Sequence, residues 1–450
     1  MTKSVLSNKV SPARLVAFQI LRRVLLEEAF ASNLLASNLT ASLSSLDRAL
    51  AQEIVLGVLR NQLYIDFLLA KTSNCNLAKL DLEVLIALRI GFYQICYLTR
   101  IPTHAIVNDS VNLVKLNKKA SASGLVNAVL RKIANTPQIQ NIPILDDYKQ
   151  LALIYSHPDW LIKHWVECYG INWTTSLAEA NNKAALIYFR VNFLKVSTEV
   201  LLEKLARAGL KVTPSLLIKG AFSVTSGSQD VLLSFASEGL IYIQDAASQL
   251  VANLVDAKPG MQIFDACAAP GGKTTAIAAQ MNNQGLIIAG DLHLKRVKLI
   301  KENAVKLGAK IILPICYDAR IGMPFTNKQY FDRILVDAPC TGTGTLRHNP
   351  EIKWRLSEDK ILELVTLQTT ILSNCALLVK IKGKLIYSTC SIEYEENEGV
   401  IKEFLAKHAN FQVIKPNLPE NLITKEGFAR TWPHRDNMDG FFAAVMEKVN

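Results

Sequence analysis

Several signatures are missing from this sequence, and each absence closes a class. Its 8 cysteines, at positions 75, 96, 168, 267, 316, 340, 375 and 390, include no CxxC pair. A zinc ribbon and a small disulfide scaffold are thereby excluded, and a reducing cytoplasm is the expected compartment. The histidines (His104, His157, His164, His293, His348, His408 and His434) show no metal-ligand spacing, so no metal site is expected. The most apolar stretch, Leu80–Leu98, is interrupted by Asp81, Glu83 and Arg89 and reads as a buried helix rather than a membrane span. No secretory signal is legible near the start: Lys3, Lys9 and Arg14 lead into a short apolar run and then Arg22-Arg23, with no small-residue cleavage site. A transit peptide would suit the lack of acids before Glu27. However, Ser11-Pro12 reads as the cap and first-turn proline of a helix carrying Leu15, Phe18, Leu21 and Leu25 on one side. A Walker phosphate loop is also lacking. Gly272-Lys273-Thr274 supplies its end, but position 267 is a cysteine where the pattern requires glycine.

What is present suits a globular chain: half of the 450 residues are apolar and a fifth are charged, enough length for two or three domains. The net charge of +11 is uneven. Residues 1–150 hold 17 Lys+Arg against 10 Asp+Glu, a surplus of +7, whereas the remainder holds 33 against 29. Such a concentration suits either a polyanion-binding module or a solvated basic surface.

Hydrophobic periodicity divides the chain into three. Residues 1–140 read as helices throughout, with apolar residues at three- and four-residue spacing in Pro12–Phe30, Leu46–Lys71, Leu80–Leu98, His104–Lys118 and Gly124–Ala134. "NTPQIQNIPILDD", Asn135–Asp147, is a polar, proline-punctuated linker, and a helix follows Pro158. Residues 141–235 hold that helix and a small α+β unit: strands in "ALIYFRVN", "LKVTPSLL" and "AFSVT", with a helix over Ser197–Ala208. The unit suggests an RNA-recognition-like (RRM-like) fold, yet the aromatic pattern that stacks bases in such domains is missing, and a structural spacer is an equal reading. Residues 236–450 alternate strand and helix: "MQIFDACAAP", "GLIIAGD", "KIILPICYD", "FDRILVDAPC" and "GKLIYSTCS", then "FQVI" and "MDGFFAAVME". This predicts a Rossmann-like α/β domain whose mostly parallel sheet binds ligands at the carboxyl ends of its strands.

The strand ends carry the chemistry. Strand one ends at Asp265 and opens a loop of small residues, Cys267, Ala268, Ala269, Pro270, Gly271 and Gly272, before Lys273; backbone amides can approach a ligand closely there. Strand two ends at Asp291, where an acid commonly binds ribose hydroxyls; strands three and four end at Asp318 and Asp337. Any one of these acids could simply cap a helix. As a row they would repel phosphate and suit an adenosine with a cationic amino-acid tail, such as S-adenosylmethionine. Cys340 follows strand four and Cys390 follows strand five, so two thiols can face one pocket beside a methyl donor. A lone buried cysteine is usually packing; a pair in these positions suits nucleophilic chemistry. Methylating a pyrimidine at C5 needs a thiolate added at C6, which makes C5 enamine-like. Lys273 would help ionise the thiol, and Asp337 would hold N3 of a cytosine. Residue chemistry alone leaves open which cysteine attacks.

"DACAAPGGKT", "VDAPCTGTG" and "YSTCSIEYEENE", supported by "IQDAASQL" and "PHRDNMDGFFAA", resemble the signature motifs of the Sun/NSUN family of RNA cytosine-5 methyltransferases. The helical N-terminus, including "GLVNAVLRKI", resembles the NusB-like RNA-binding domain of one bacterial subgroup, which methylates a cytosine of 16S ribosomal RNA. Thr341 departs from the serine of many relatives. The resemblance implies S-adenosyl-L-methionine as cofactor and Cys390 as nucleophile, with Cys340 assisting product release. It also implies that Cys267 to Lys273, Asp291, Asp318 and Asp337 contact the cofactor or base. It further implies a class I methyltransferase domain with a seven-stranded sheet and 16S RNA as partner. The residues themselves suggest no membrane partner and no obligate oligomer, so a monomer is expected. The same chemistry on transfer RNA, or a non-catalytic RNA-binding assembly factor, are the competing readings. The basic loop "LRHNPEIKWR", Leu346–Arg355, is a candidate RNA clamp through Arg347 and Lys353, with Trp354 stacking on a base.

Overall fold

The computed structural model describes residues 10–136, 147–322 and 330–449. Most of the expected linker Asn135–Asp147, together with Lys3 and Lys9, lies outside them. The chain forms two compact units: Met1–Ala184 with Leu346–Arg355, and Ala185–Thr345 with Leu356–Asn450. Among the described residues no helix is long and apolar enough to cross a membrane.

The first unit is helical, as its periodicity predicts. Its principal helices are Pro12–Leu26, Ser45–Arg60, Gln62–Ser73, Leu82–Tyr97, Thr103–Leu116 and Ser123–Asn135. They enclose one core containing Phe18, Leu21, Ile54, Leu59, Ile86, Leu113 and Leu130. Pro12 opens the first helix, but the Ser11 hydroxyl does not cap it; instead it accepts from Arg14 Nη1 at 3.1 Å. Arg14 is buried and also donates to Asp109 and Gln94, each at 2.7 Å. Buried, paired arginines of this kind belong to the core, not to a basic surface. The periodic run Leu46–Lys71 is two helices, not one. Asn61 ends the first through its side-chain amide, which donates to Gly57 O at 2.8 Å and competes with the backbone ladder.

Within the second unit, a small antiparallel sheet comes first. Strands β1 (Tyr188–Val191), β2 (Lys211–Pro214), β3 (Ala221–Ser226) and β4 (Ile241–Ile243) are ordered β2-β3-β1-β4. With helices Thr198–Arg207 and Gln229–Ser237 they give the β-α-β-β-α-β pattern of a ferredoxin-like fold. Phe189 and Phe222 stack at 5.7 Å but are buried in the helix-covered core, so they offer no platform for bases. The three-residue strand β4 extends this sheet past residue 235.

The larger sheet contains β5 (Gln262–Asp265), β6 (Leu286–Asp291), β7 (Ile312–Cys316), β8 (Phe331–Asp337), β9 (Val379–Thr389), β10 (Phe411–Val413), β11 (Ala429–Thr431) and β12 (Phe441–Lys448). Seven strands follow the order β10-β12-β9-β8-β5-β6-β7; β11 pairs with β12 and makes eight. The strands from β7 to β9 along this order are parallel, while β12 runs antiparallel to β9. Continuous apolar runs such as Ile334-Leu335-Val336 are fully buried, as a sheet covered on both faces requires. The strand order turns back between β5 and β8, and the ends of these strands therefore open a crevice.

Candidate active site

At that crevice the β5 turn runs through Cys267–Gly271 into helix Gly272–Gln280. Gly271 caps the helix at φ 98°, a left-handed conformation that strains a residue with a Cβ. The turn, the ends of β5 and β8, and Tyr242, Ile243, Gln244 and Ser248 enclose a pocket of about 200 Å³. Asp265, Cys267, Ala268, Ala269, Pro270, Gly272, Lys273 and Asp337 are among its lining residues.

Lys273 and Asp337 form one polar unit in the wall. Lys273 Nζ donates to Asp337 Oδ2 at 2.6 Å, and Ser388 Oγ donates to Oδ1 at 2.9 Å. Burial pulls the Lys273 ammonium down, but the Asp337 carboxylate, with Cys390 and Asp265 nearby, outweighs it and leaves it above its ordinary value. Asp265 is buried, and Thr274 Oγ1 donates to its Oδ2 at 2.7 Å. Its Oδ1 has no hydrogen-bond partner among the described residues. Burial first, opposed by the Thr274 hydrogen bond and reinforced by the Asp337 charge, pushes Asp265 up to about 7.

Two expected acids stand apart. Asp291 ends β6 and Asp318 follows β7, and neither lines this pocket. Asp291 accepts from His293 N at 3.1 Å and faces Arg296 at 3.5 Å. The side chain and then the backbone N–H of Arg320 hold Asp318 down at about 2. Cys267 does line the pocket, but burial pushes its thiol far up, so its backbone rather than its sulfur is suited to a ligand.

Cys340 and Cys390 lie beyond the neighbouring parallel strands β8 and β9, with their Sγ atoms 3.4 Å apart. Both are free thiols. The hydrogen bond with Cys390, and then burial, push the Cys340 thiol well above its ordinary value.

A buried network, not resolved residue by residue from the sequence, fixes this pair. Glu396 accepts from Thr341 N at 2.9 Å, Thr341 Oγ1 at 2.5 Å and Gln368 Nε2 at 2.8 Å. A serine would offer the same hydroxyl as Thr341. On the other turn, Asn397 Nδ2 donates to Ser391 O at 2.9 Å, and Gly344 N donates to Cys390 O at 2.9 Å. A Cβ on Gly344 would fall 2.0 Å from Gly440 O and 2.8 Å from Cys390 O, so only glycine lets the two turns meet. Arg430 bonds both Glu398 and Ile392 O behind Cys390. The motif "YSTCSIEYEENE" holds the signal for this network, but its partners are known only once the turns are adjacent.

The candidate clamp Leu346–Arg355 is corrected by the structure. It belongs to the helical unit, with Arg347 and Lys353 3 % and 1 % exposed. Lys353 Nζ donates to Arg60 O at 2.9 Å, and Trp354 Nε1 donates to Leu59 O at 2.8 Å. Arg355 binds the carbonyls of Val24, Glu28 and Ala29. These basic groups satisfy helix-end carbonyls, and the Lys353 side chain is too buried to contact RNA phosphate.

Comparisons with known proteins agree with this architecture. The 16S rRNA methyltransferase RsmB/F family matches residues 252–447, the NusB family residues 11–135, and the RsmF/B-like ferredoxin-like domain residues 157–230. The chain is 36% identical to the probable ribosomal RNA small subunit methyltransferase B of Bacillus subtilis (strain 168), over 98% of this chain and 99% of that protein. It is 33% identical to ribosomal RNA small subunit methyltransferase B of Escherichia coli O17:K52:H18, over 97% and 98% respectively. Among solved structures, PH0851 superposes with a TM-score of 0.85 at 30% identity, covering 98% of this chain and 99% of that one. A methyltransferase homolog from Pyrococcus horikoshii gives 0.59 at 29% identity, covering 68% of this chain and 100% of its own.

Proposed function

This chain belongs to the RsmB/F family of 16S rRNA methyltransferases and is a methyltransferase; we propose that it transfers a methyl group from S-adenosylmethionine to C5 of a cytosine in 16S ribosomal RNA. The observation that carries this reading is the thiol pair, 3.4 Å apart, at strand ends beside the Lys273–Asp337 ion pair. Cytosine-5 chemistry needs one thiol to attack and profits from a second, and few other reactions explain both.

The pocket residues fit the donor. Asp265 Oδ1, buried and without a partner among the described residues, suits the α-ammonium of an amino-acid tail. Ala268, Ala269 and Gly272 line the pocket, and such small residues allow close backbone approach. Asp291 at the end of β6 is the residue to hold ribose hydroxyls, and Asp318 lies next along the sheet. When bound, the donor supplies a methyl group on a positively charged sulfur.

In this reading Cys390 adds to C6 as thiolate, and Lys273 stabilises its charge. A neutral Cys340 thiol 3.4 Å away can donate to Cys390 and stabilise its thiolate. As the thiolate adds, N3 of the base takes up a proton, and Asp337 accepts the hydrogen bond from that N3–H; the protonated N3 draws electron density from C6. Addition makes C5 nucleophilic; after methylation C5 gives its proton to water, the electrons of that bond reform the ring double bond, and the sulfur of Cys390 leaves C6 as thiolate while N3 gives up its proton. Cys340 assists that release. The base must be unstacked to reach the sulfur.

The test is transfer of labelled methyl from S-adenosylmethionine to purified 16S RNA and to transfer RNA, with the product nucleoside identified. Label in 5-methylcytosine of 16S RNA is the expected result. Label only in transfer RNA would move the reading to the other substrate, and absence of both cofactor binding and label would favour a non-catalytic role.

A further inference from the structure

The ferredoxin-like domain lacks exposed stacking aromatics in its sheet, yet β4 and the turn after it line the pocket through Tyr242, Ile243 and Gln244, and β1 supports them from behind. Arg190 on β1 is 7 % exposed. Its Nη2 donates to Thr275 Oγ1 at 2.8 Å and Gly272 O at 3.2 Å, and its Nε to Gln244 Oε1 at 3.3 Å. Its guanidinium carbon lies 5.0 Å from the centre of the Tyr242 ring. One buried cation therefore ties the small domain to the first turn of the helix Gly272–Gln280 and seats both Tyr242 and Gln244.

The second glycine of "PGGK" carries the same message. No left-handed backbone requires glycine at position 272, but a Cβ there would lie 2.9 Å from Tyr242 Cε1 and 3.2 Å from both Tyr242 Oη and Gln244 Nε2. The small side chain makes room for the small domain as well as for a ligand.

We infer that the ferredoxin-like domain reads the amino-acid tail of the methyl donor, with Tyr242 and Gln244 as specificity residues and Arg190 as the residue that positions them. The inference rests on the donor reading of this pocket. Asp291 and Asp318, the acids suited to the adenosine half, do not line it, which makes it the tail end. A tail is a zwitterion. Asp265 meets its ammonium, and its carboxylate needs donors. Lys273 already serves Asp337 at 2.6 Å and, in the proposed mechanism, the Cys390 thiolate, whereas Tyr242 offers a hydroxyl and Gln244 an amide. Acceptance from Arg190 Nε fixes which end of that amide is oxygen. Its nitrogen donates to Ser248 Oγ at 3.0 Å and keeps a second hydrogen for a ligand.

Calorimetric binding of S-adenosylhomocysteine and of 5′-methylthioadenosine, which lacks the tail, to the full chain tests this. The wild type should bind the first more tightly. Tyr242→Phe, Gln244→Ala and Arg190→Lys should each weaken S-adenosylhomocysteine by about ten-fold, as for a lost hydrogen bond to a charged group, and leave methylthioadenosine within about two-fold. Equal losses for both ligands, or no loss for either, would overturn the inference and reduce the three residues to scaffolding. A wild type that binds both ligands equally overturns it while sparing the donor reading. Binding of neither ligand by the wild type overturns both.

Discussion

At the scale of single residues, Asp265 makes the clearest statement about conditions. Its carboxyl is held at about 7 in the folded chain, mainly by burial. Between about pH 4 and 7 the folded protein binds a proton that the unfolded chain has released. This group's contribution to stability therefore falls as pH rises through that window. An ammonium ligand wants the opposite, an ionised Asp265. Affinity for S-adenosylhomocysteine should accordingly rise by up to about ten-fold per pH unit below 7 and level off above it. Asp265→Asn should flatten this dependence and bind more weakly at pH 8. Calorimetry at pH 6, 7 and 8 checks both, and a wild-type profile as flat as the variant's would remove Asp265 from the ammonium site. Strand-end acids were legible in the sequence because each closes an apolar run. Their division was not: Asp318 is claimed by Arg320 two residues on, whereas Asp265 keeps a buried oxygen with no partner among the described residues.

Among elements, those with a strong period were legible. The parallel strands β5–β9 fall on apolar runs bounded by turns, although β7 ends at Cys316, two residues before Asp318, and β9 begins at Val379, ahead of the run at Gly383. Strand β4 is three residues long and gives almost no periodic signal; only pairing with β1 defines it. Leu346–Arg355 misleads for another reason. Its lysine, arginines and tryptophan have the composition of a phosphate clamp, but Lys353, Trp354 and Arg355 are bonded to carbonyls about three hundred residues earlier in the chain. Composition cannot show that. Burial and the Arg60 charge hold the Lys353 amine well below its ordinary value, so it serves packing and one carbonyl. Lys353→Ala should cost about 2–4 kcal/mol through the cavity and the lost hydrogen bond, and lower the melting temperature by roughly 5–10 °C. RNA affinity measured well below the transition should be unchanged. Weaker RNA binding with an unaltered melting temperature would restore the clamp.

For the whole molecule, chain order and spatial order differ in the way that creates the site. β5 and β8 are neighbours although two strands separate them in sequence, and β9 follows alongside. That arrangement brings Asp265, Lys273, Asp337, Cys340 and Cys390 to one end of one sheet. The pairing of the thiols could be read from strand order in an α/β fold, but their division of labour could not, because each occupies a similar polar turn. Here the molecule can be asked directly. Cys340→Ala should be incubated with 16S RNA and S-adenosylmethionine and run on a denaturing gel. If Cys390 attacks and Cys340 releases, a slow-migrating, nuclease-sensitive protein–RNA adduct accumulates, and adding Cys390→Ala abolishes it. An adduct trapped instead by Cys390→Ala alone would reverse the two roles and contradict the proposed mechanism.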